Sequence, residues 1–256
     1  MIDNQNIDTD QRIEKPSTFR FIGEHLNVWK ELWDSFVFQR KHQVSTGGDG
    51  HPVLVIPGFM GSDLSTRLLR RFIRKLGYTP YAWELGRNLG DVSQLNILKK
   101  KIEDIHAKHD AKVSLIGWSL GGVYARQLAK NNPDLIRQII TLSSPFAGIE
   151  KPNNAAWLYK LINSRRTMAE KDEKWVEDIA SPASVPTTAI YSKEDGIVPW
   201  QTCMEQKVDK IHQNIEVKGG HIGLAYNPSV WLIVEDRLQY SQENWTEFFD
   251  SGKADI

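Results

Sequence analysis

Short apolar runs alternate along the chain with longer stretches in which apolar residues recur every three or four positions. That rhythm predicts strands and helices in turn, and so a mostly parallel sheet covered by helices. Val53 to Ile56 is a β-branched run stopped by Pro57 and Gly58, as expected of a buried strand entering a sharp loop. Leu64 to Leu76 reads as a helix, Tyr81 to Leu85 as a second strand leading into a loop rich in Gly and Asn, and Leu95, Leu98, Ile102 and Ile105 as one face of a further helix. Val113 to Ile116, Gln138 to Leu142, Pro186 to Tyr191 and Ile215 to Val217 supply the remaining strands, about six in all. Leu120 to Lys130 forms the helix behind the third. Asn227 and Pro228 suit the cap and first turn of a last helix through Val230, Ile233, Val234 and Leu238.

Two stretches break the rhythm. Residues 22 to 37 place Ile22, Leu26, Trp29, Trp33, Phe36 and Val37 on one helical face, with Glu24, Glu31 and Asp34 elsewhere on the wheel. A helix packed on the domain is the simple reading, and a membrane-surface or dimer contact the sharper one, although the polar face lacks the basic excess that anionic lipid favours. Residues 149 to 182 carry Trp157, Leu158, Leu161, Ile162 and Trp175 among many charges, which suits either a helical cap over a pocket or an ordinary surface insertion.

Composition narrows the classes of function. The 256 residues, 40% hydrophobic, suffice for one sizeable core. Lys plus Arg and Asp plus Glu both total 32, so there is no broad electrostatic reason to bind nucleic acid. The polar, acidic stretch Met1 to Asp10 lacks the features of a secretory signal, and no window approaches a membrane span, which predicts a soluble, cytoplasmic protein. The single cysteine, Cys203, allows no internal disulfide and is expected as a small buried residue.

The chemistry concentrates at Gly117, Trp118, Ser119, Leu120 and Gly121. This is a G-x-S-x-G pattern set directly between the Val113 to Ile116 strand and the following helix. A turn that tight strains the backbone of Ser119 and holds its hydroxyl out at the carboxyl edge of the sheet, with glycines where side chains would collide. Gly122, Ala125 and Ala129 let the helix approach the sheet, and its first turn offers free N–H groups to developing negative charge.

A serine hydroxyl near neutral pH needs a histidine to take its proton and an acid to orient that histidine. Five of the seven histidines, His25, His42, His51, His106 and His109, precede Ser119 and so do not fit the order serine, acid, histidine of this strand–serine–helix arrangement. His212 sits among Lys210, Gln213 and Asn214, where a solvent-facing position is expected. His221 follows Gly219 and Gly220 just past a strand end and is the candidate base. Asp195, past the strand ending near Tyr191 and followed by Gly196, is the candidate acid, with neighbouring Glu194 read as a solvated charge. The oxyanion donors are expected from the Leu120 backbone N–H and, in the loop Pro57, Gly58, Phe59, Met60, Gly61, from Phe59. The same Gly and Pro residues also suit a plain turn ending a buried strand.

These residues resemble the serine α/β-hydrolase superfamily, and within it the bacterial lipase and esterase branch. The likeness spans about residues 50 to 240 and includes Thr141, Leu142, Ser143, Ser144, Pro145 and Phe146 beside the elbow. Pro57 and Phe146 stand where many members have histidine, which alters the pocket wall. The resemblance implies an α/β-hydrolase fold with no cofactor or catalytic metal, and a sheet lacking the first two strands of the largest members. It divides the chain into an extension with an amphipathic helix at 1 to 50, a hydrolase domain at 51 to 240 with its insertion at 149 to 182, and a tail at 241 to 256. The expected reaction is cleavage of a carboxylic ester through an acyl-enzyme, with Met60, Trp118, Phe146 and Trp200 as candidate substrate contacts. A thioesterase or acyltransferase would use the same triad, and a non-catalytic interaction protein retaining this fold is the rival from another class.

Overall fold

The computed structural model describes residues 31–42, 47–147 and 178–248. Six strands form one sheet, β1 Pro52–Ile56, β2 Thr79–Tyr81, β3 Val113–Trp118, β4 Ile136–Leu142, β5 Thr187–Tyr191 and β6 His212–Glu216. They lie in the order β2-β1-β3-β4-β5-β6, and every neighbouring pair is parallel. The helices are α1 over residues 31–41, α2 Arg67–Lys75, α3 Gln94–His109, α4 Leu120–Asn131 and α5 Pro228–Leu238.

Alternation along β1 shows how the layers form. Leu54 and Ile56 face α3 and α4, in one apolar cluster with Leu98, Ile102, Leu120 and Val123. Val53 and Val55 face the opposite layer, in a second cluster with Phe38 of α1, Leu69 and Phe72 of α2, and Val230 and Trp231 of α5. Both faces of the sheet are covered, which is why β1 reads as a continuous apolar run. The chain steps from β1 outward to β2, then crosses back to β3, so the switch in strand order falls between β1 and β3. In open parallel sheets the crevice beyond the strand ends at that switch is where ligands bind.

Several expectations shift in detail. The second strand occupies Thr79–Tyr81 because Asp63 draws the chain out of the sheet, accepting from the backbone N–H of Trp83 at 3.0 Å and of Glu84 at 3.2 Å. The last strand runs His212–Glu216 rather than 215 to 217, and His212 is buried instead of solvent-facing. Its ring bonds Asp209 at 2.8 Å and the Ala183 carbonyl at 2.7 Å, which satisfies both nitrogens away from water. The cap of α5 forms as expected, with the Asn227 side chain accepting from Ser229 N–H.

The described part of α1 does not pack on the domain through the apolar face read from the sequence. Glu31, Ser35 and Phe38 are buried, whereas Trp33 and Phe36 are 67% and 47% exposed. Residues 22 to 30 of the predicted helix, and 149 to 177 of the insertion, lie outside the described residues. Among the described residues no helix is long and apolar enough to cross a membrane.

Candidate active site

The elbow stands at the carboxyl end of β3. Ser119 has φ 52° and ψ −121°, a conformation that L-residues rarely adopt, and its N–H donates to the Leu142 carbonyl of β4 at 2.8 Å. Crowding explains the glycines around it. A Cβ on Gly117 would lie 2.3 Å from Gly122 Cα, and one on Gly121 would lie 2.3 Å from the Ile56 carbonyl oxygen. Only bare backbone lets β1, β3 and α4 meet at this point. Leu120 is the first residue of α4, so its N–H has no acceptor within the helix.

The loop after β1 passes against the elbow, since a Cβ on Gly58 would come within 3.1 Å of Ser119 Cβ. Buried Asn88 fixes that loop from three sides. Its Nδ2 donates to the Pro57 carbonyl at 2.8 Å, its N–H donates to the Gly61 carbonyl at 2.8 Å, and its carbonyl accepts the Met60 N–H at 2.7 Å. With the Met60 N–H so engaged, Phe59 remains the loop's candidate donor, as expected from sequence. Met60 itself has φ 60° and is half exposed at the rim.

Asp195 and His221, separated by 26 positions in the chain, come together at the ends of β5 and β6. His221 Nδ1 lies 2.6 Å from Asp195 Oδ2, and both residues are buried. The other carboxylate oxygen accepts the N–H groups of Ile197 at 2.8 Å and Val198 at 2.7 Å. Those bonds hold the carboxylate so that one oxygen faces the imidazole, which fixes the ring's orientation.

The loop carrying His221 is tied on several sides. Glu194, expected as a solvated charge, accepts the Gly219 N–H at 2.9 Å, and Ser192 Oγ donates to the Gly219 carbonyl at 2.7 Å. Asn227 donates to the Lys218 carbonyl at 2.7 Å. The Trp118 indole N–H donates to the His221 carbonyl at 3.0 Å, so the residue preceding Ser119 binds the residue proposed as its base. None of these ties has a periodic signature, although side chains able to bond backbone cluster visibly around the two loops.

The remaining candidate contacts are Phe146 and Trp200. Phe146 is fully buried in the α4-side cluster with the Arg126 guanidinium 3.7 Å over its ring, so it presents no surface to a substrate in this arrangement. Arg126 also forms a buried ion pair with Glu205. Trp200 stacks on Tyr191 at 5.6 Å, in a small cluster with Val198 and Cys203. Burial pushes the Cys203 thiol well up, and the Asp195 charge adds to it. Among the described residues no group of three or more His, Cys, Asp and Glu side chains gathers where it could hold a metal ion.

A six-stranded parallel sheet covered by helices on both faces, with a strained serine at its switch point, defines the class as an α/β-hydrolase. The chain belongs to the palmitoyl protein thioesterase family, whose model matches residues 52–194. That match includes Ser119 and stops one residue before Asp195. Similar solved structures include Aspergillus fumigatus lipase B, with a TM-score of 0.57 and 20% identity over 78% of this chain and 55% of that one. The chain thus spans little more than half the length of that lipase. Paleococcus ferrophilus monoacylglycerol lipase follows with a TM-score of 0.54 and 15% identity, covering 73% of this chain and 93% of that one. The thioesterase domain from the curacin biosynthetic pathway has a TM-score of 0.51 and 16% identity, covering 77% and 93%. No curated protein matches the sequence. Family and fold together place the protein among the α/β-hydrolases.

Proposed function

We propose that the protein hydrolyses fatty acyl thioesters or esters through an acyl-enzyme formed on Ser119. The Ser119 oxygen attacks the acyl carbonyl carbon while His221 takes the hydroxyl proton and Asp195 stabilises the imidazolium. The Leu120 and Phe59 N–H groups receive the oxyanion, a contribution of about 3 kcal/mol per donor in comparable sites. The tetrahedral intermediate collapses as the carbon–sulfur or carbon–oxygen bond breaks, and the leaving group carries away the proton from His221. Water repeats the sequence in the second half, releasing the acid and restoring the serine. One observation carries this reading: a serine with φ 52° between strand and helix, whose preceding residue is bonded to a histidine paired with a buried aspartate.

The family description speaks for a long acyl chain on sulfur, and the lipase neighbours for an ester. Exposed Met60 and Leu64 at the rim offer apolar surface consistent with an acyl chain. A series of p-nitrophenyl esters and matching acyl-CoA thioesters of two to sixteen carbons tests the proposal. Turnover rising toward the long thioesters supports it. Failure of the folded protein to turn over either class, or undiminished turnover in Ser119→Ala, contradicts it.

A further inference from the structure

We infer that Glu31, on the N-terminal helix, is a positioning residue that holds the loop of the proposed base from outside the hydrolase core. The inference rests on the reading of His221 as that base. A carboxylate is costly to bury unless it is bonded and closely fitted, yet Glu31 is only 6% exposed. Its Oε1 accepts the Gly220 backbone N–H at 3.2 Å, one residue before His221. The loop is shaped around it. A Cβ on Gly219 would lie 2.5 Å from Oε1, and one on Gly223 would fall 0.9 Å from Oε2. Glycines at 219 and 223 therefore leave room for a carboxylate from another element, and the same glycines make the loop loose without one.

This seat explains why α1 presents Trp33 and Phe36 outward, because the buried side of the helix is the one that carries Glu31 and Phe38. Two further contacts anchor α1 away from the loop. Phe38 enters the core beside Phe72 and Trp231, with rings 6.1 Å from each, and His42 Nε2 lies 2.7 Å from Glu235 of α5. The helix is thus fixed to the body of the protein and reaches the loop through the Glu31 carboxylate. Displacing an imidazole by about 1 Å is enough to cost one to two powers of ten in rate.

The test compares Glu31→Ala, Glu31→Gln and His42→Ala in the full chain, measuring kcat and KM on the best ester or thioester and deuterium uptake over residues 218 to 223. Glu31→Ala is expected to lower kcat about tenfold with KM within about twofold, and to raise uptake in the loop. Glu31→Gln keeps an acceptor for Gly220 and is expected to stay within about threefold of wild type, which remains informative if the alanine variant folds poorly. His42→Ala, which loosens the helix elsewhere, is expected to lower Tm with kcat and loop uptake unchanged. Wild-type kcat and uptake in Glu31→Ala would overturn the inference, as would an equal loss of kcat in His42→Ala. Uptake is read without turnover. Should the wild-type protein prove inactive, a loop deprotected in Glu31→Ala and protected in His42→Ala still supports the clamp, and a loop unchanged in both refutes it.

Discussion

Among the described residues two candidate sets of serine, histidine and aspartate stand at opposite ends of the sheet, and acyl transfer is proposed for one of them. At the amino end of the sheet His51 bonds Asp49 through Nδ1 at 2.5 Å and Ser114 through Nε2 at 2.8 Å, a complete relay by hydrogen bonding alone. Ser114, however, lies in the body of β3 with no exposed surface. Burial and the nearby Arg137 charge hold the His51 imidazole down at about 4, too weak a base to deprotonate an alcohol near neutral pH. Five residues further on, just past the end of the same strand, Ser119 sits in a strained turn immediately before a helix and at the switch in strand order. A hydrogen-bonded trio is therefore not sufficient for this chemistry. It also needs an approachable hydroxyl and donors where the oxyanion forms.

Four substitutions sharpen that contrast. The largest effect is expected from Asp195→Asn, which leaves the shape intact but removes the charge facing the imidazole, and should cut kcat by about 10³ to 10⁴ in steady-state assays. Asn88→Ala frees the oxyanion loop at Pro57 and should lower kcat about tenfold, with about 2 kcal/mol lost in urea unfolding because a buried carbonyl loses its donor.

The next effect is on stability rather than rate. In the unfolded chain His51 takes a proton near pH 6.5, while in the folded protein it resists until about 4. The unfolded state binds more protons in that window, so stability falls as pH drops through it, by on the order of 3 kcal/mol. His51→Gln should flatten that slope in unfolding curves recorded from pH 7 to pH 4, with activity at pH 7.5 retained. Ser114→Ala is expected to do least. It should leave kcat within about twofold and cost about 1 kcal/mol through the bond lost to His51. A large loss of activity in either of the last two would erase the distinction between the two trios.

Much of the fold was legible because it is written in periodic apolar positions. The runs at Val53, Val113 and Ile139 mark strands buried on both faces, and the elbow falls at a strand-to-helix boundary that periodicity alone can locate. His221 and Asp195 followed from chain order and the placement of loops. What escaped was carried by polar side chains that bond backbone far away in sequence. β6 begins with His212, Gln213 and Asn214, which read as a solvated loop until their partners are seen. Asn214 bonds Glu205 backbone at both N–H and carbonyl, and Gln213 does the same to Phe248. Glu31 falls off the apolar face of its helix by sequence spacing, and nothing local signals a glycine-lined seat some 190 positions later. Of the two readings of the aromatic face of the same helix, packing on the domain and a membrane-surface or dimer contact, the first does not hold at Trp33 and Phe36, which are exposed.

The most direct test is to locate the phosphonyl adduct left by a fluorophosphonate probe. Trypsin cuts after Lys112 and Arg126, so Ser114 and Ser119 share one peptide and fragment ions must separate them. A single adduct on Ser119, lost in Ser119→Ala and kept in Ser114→Ala, is the predicted result. An adduct on any other residue, or none on the folded wild-type protein, would contradict the assignment.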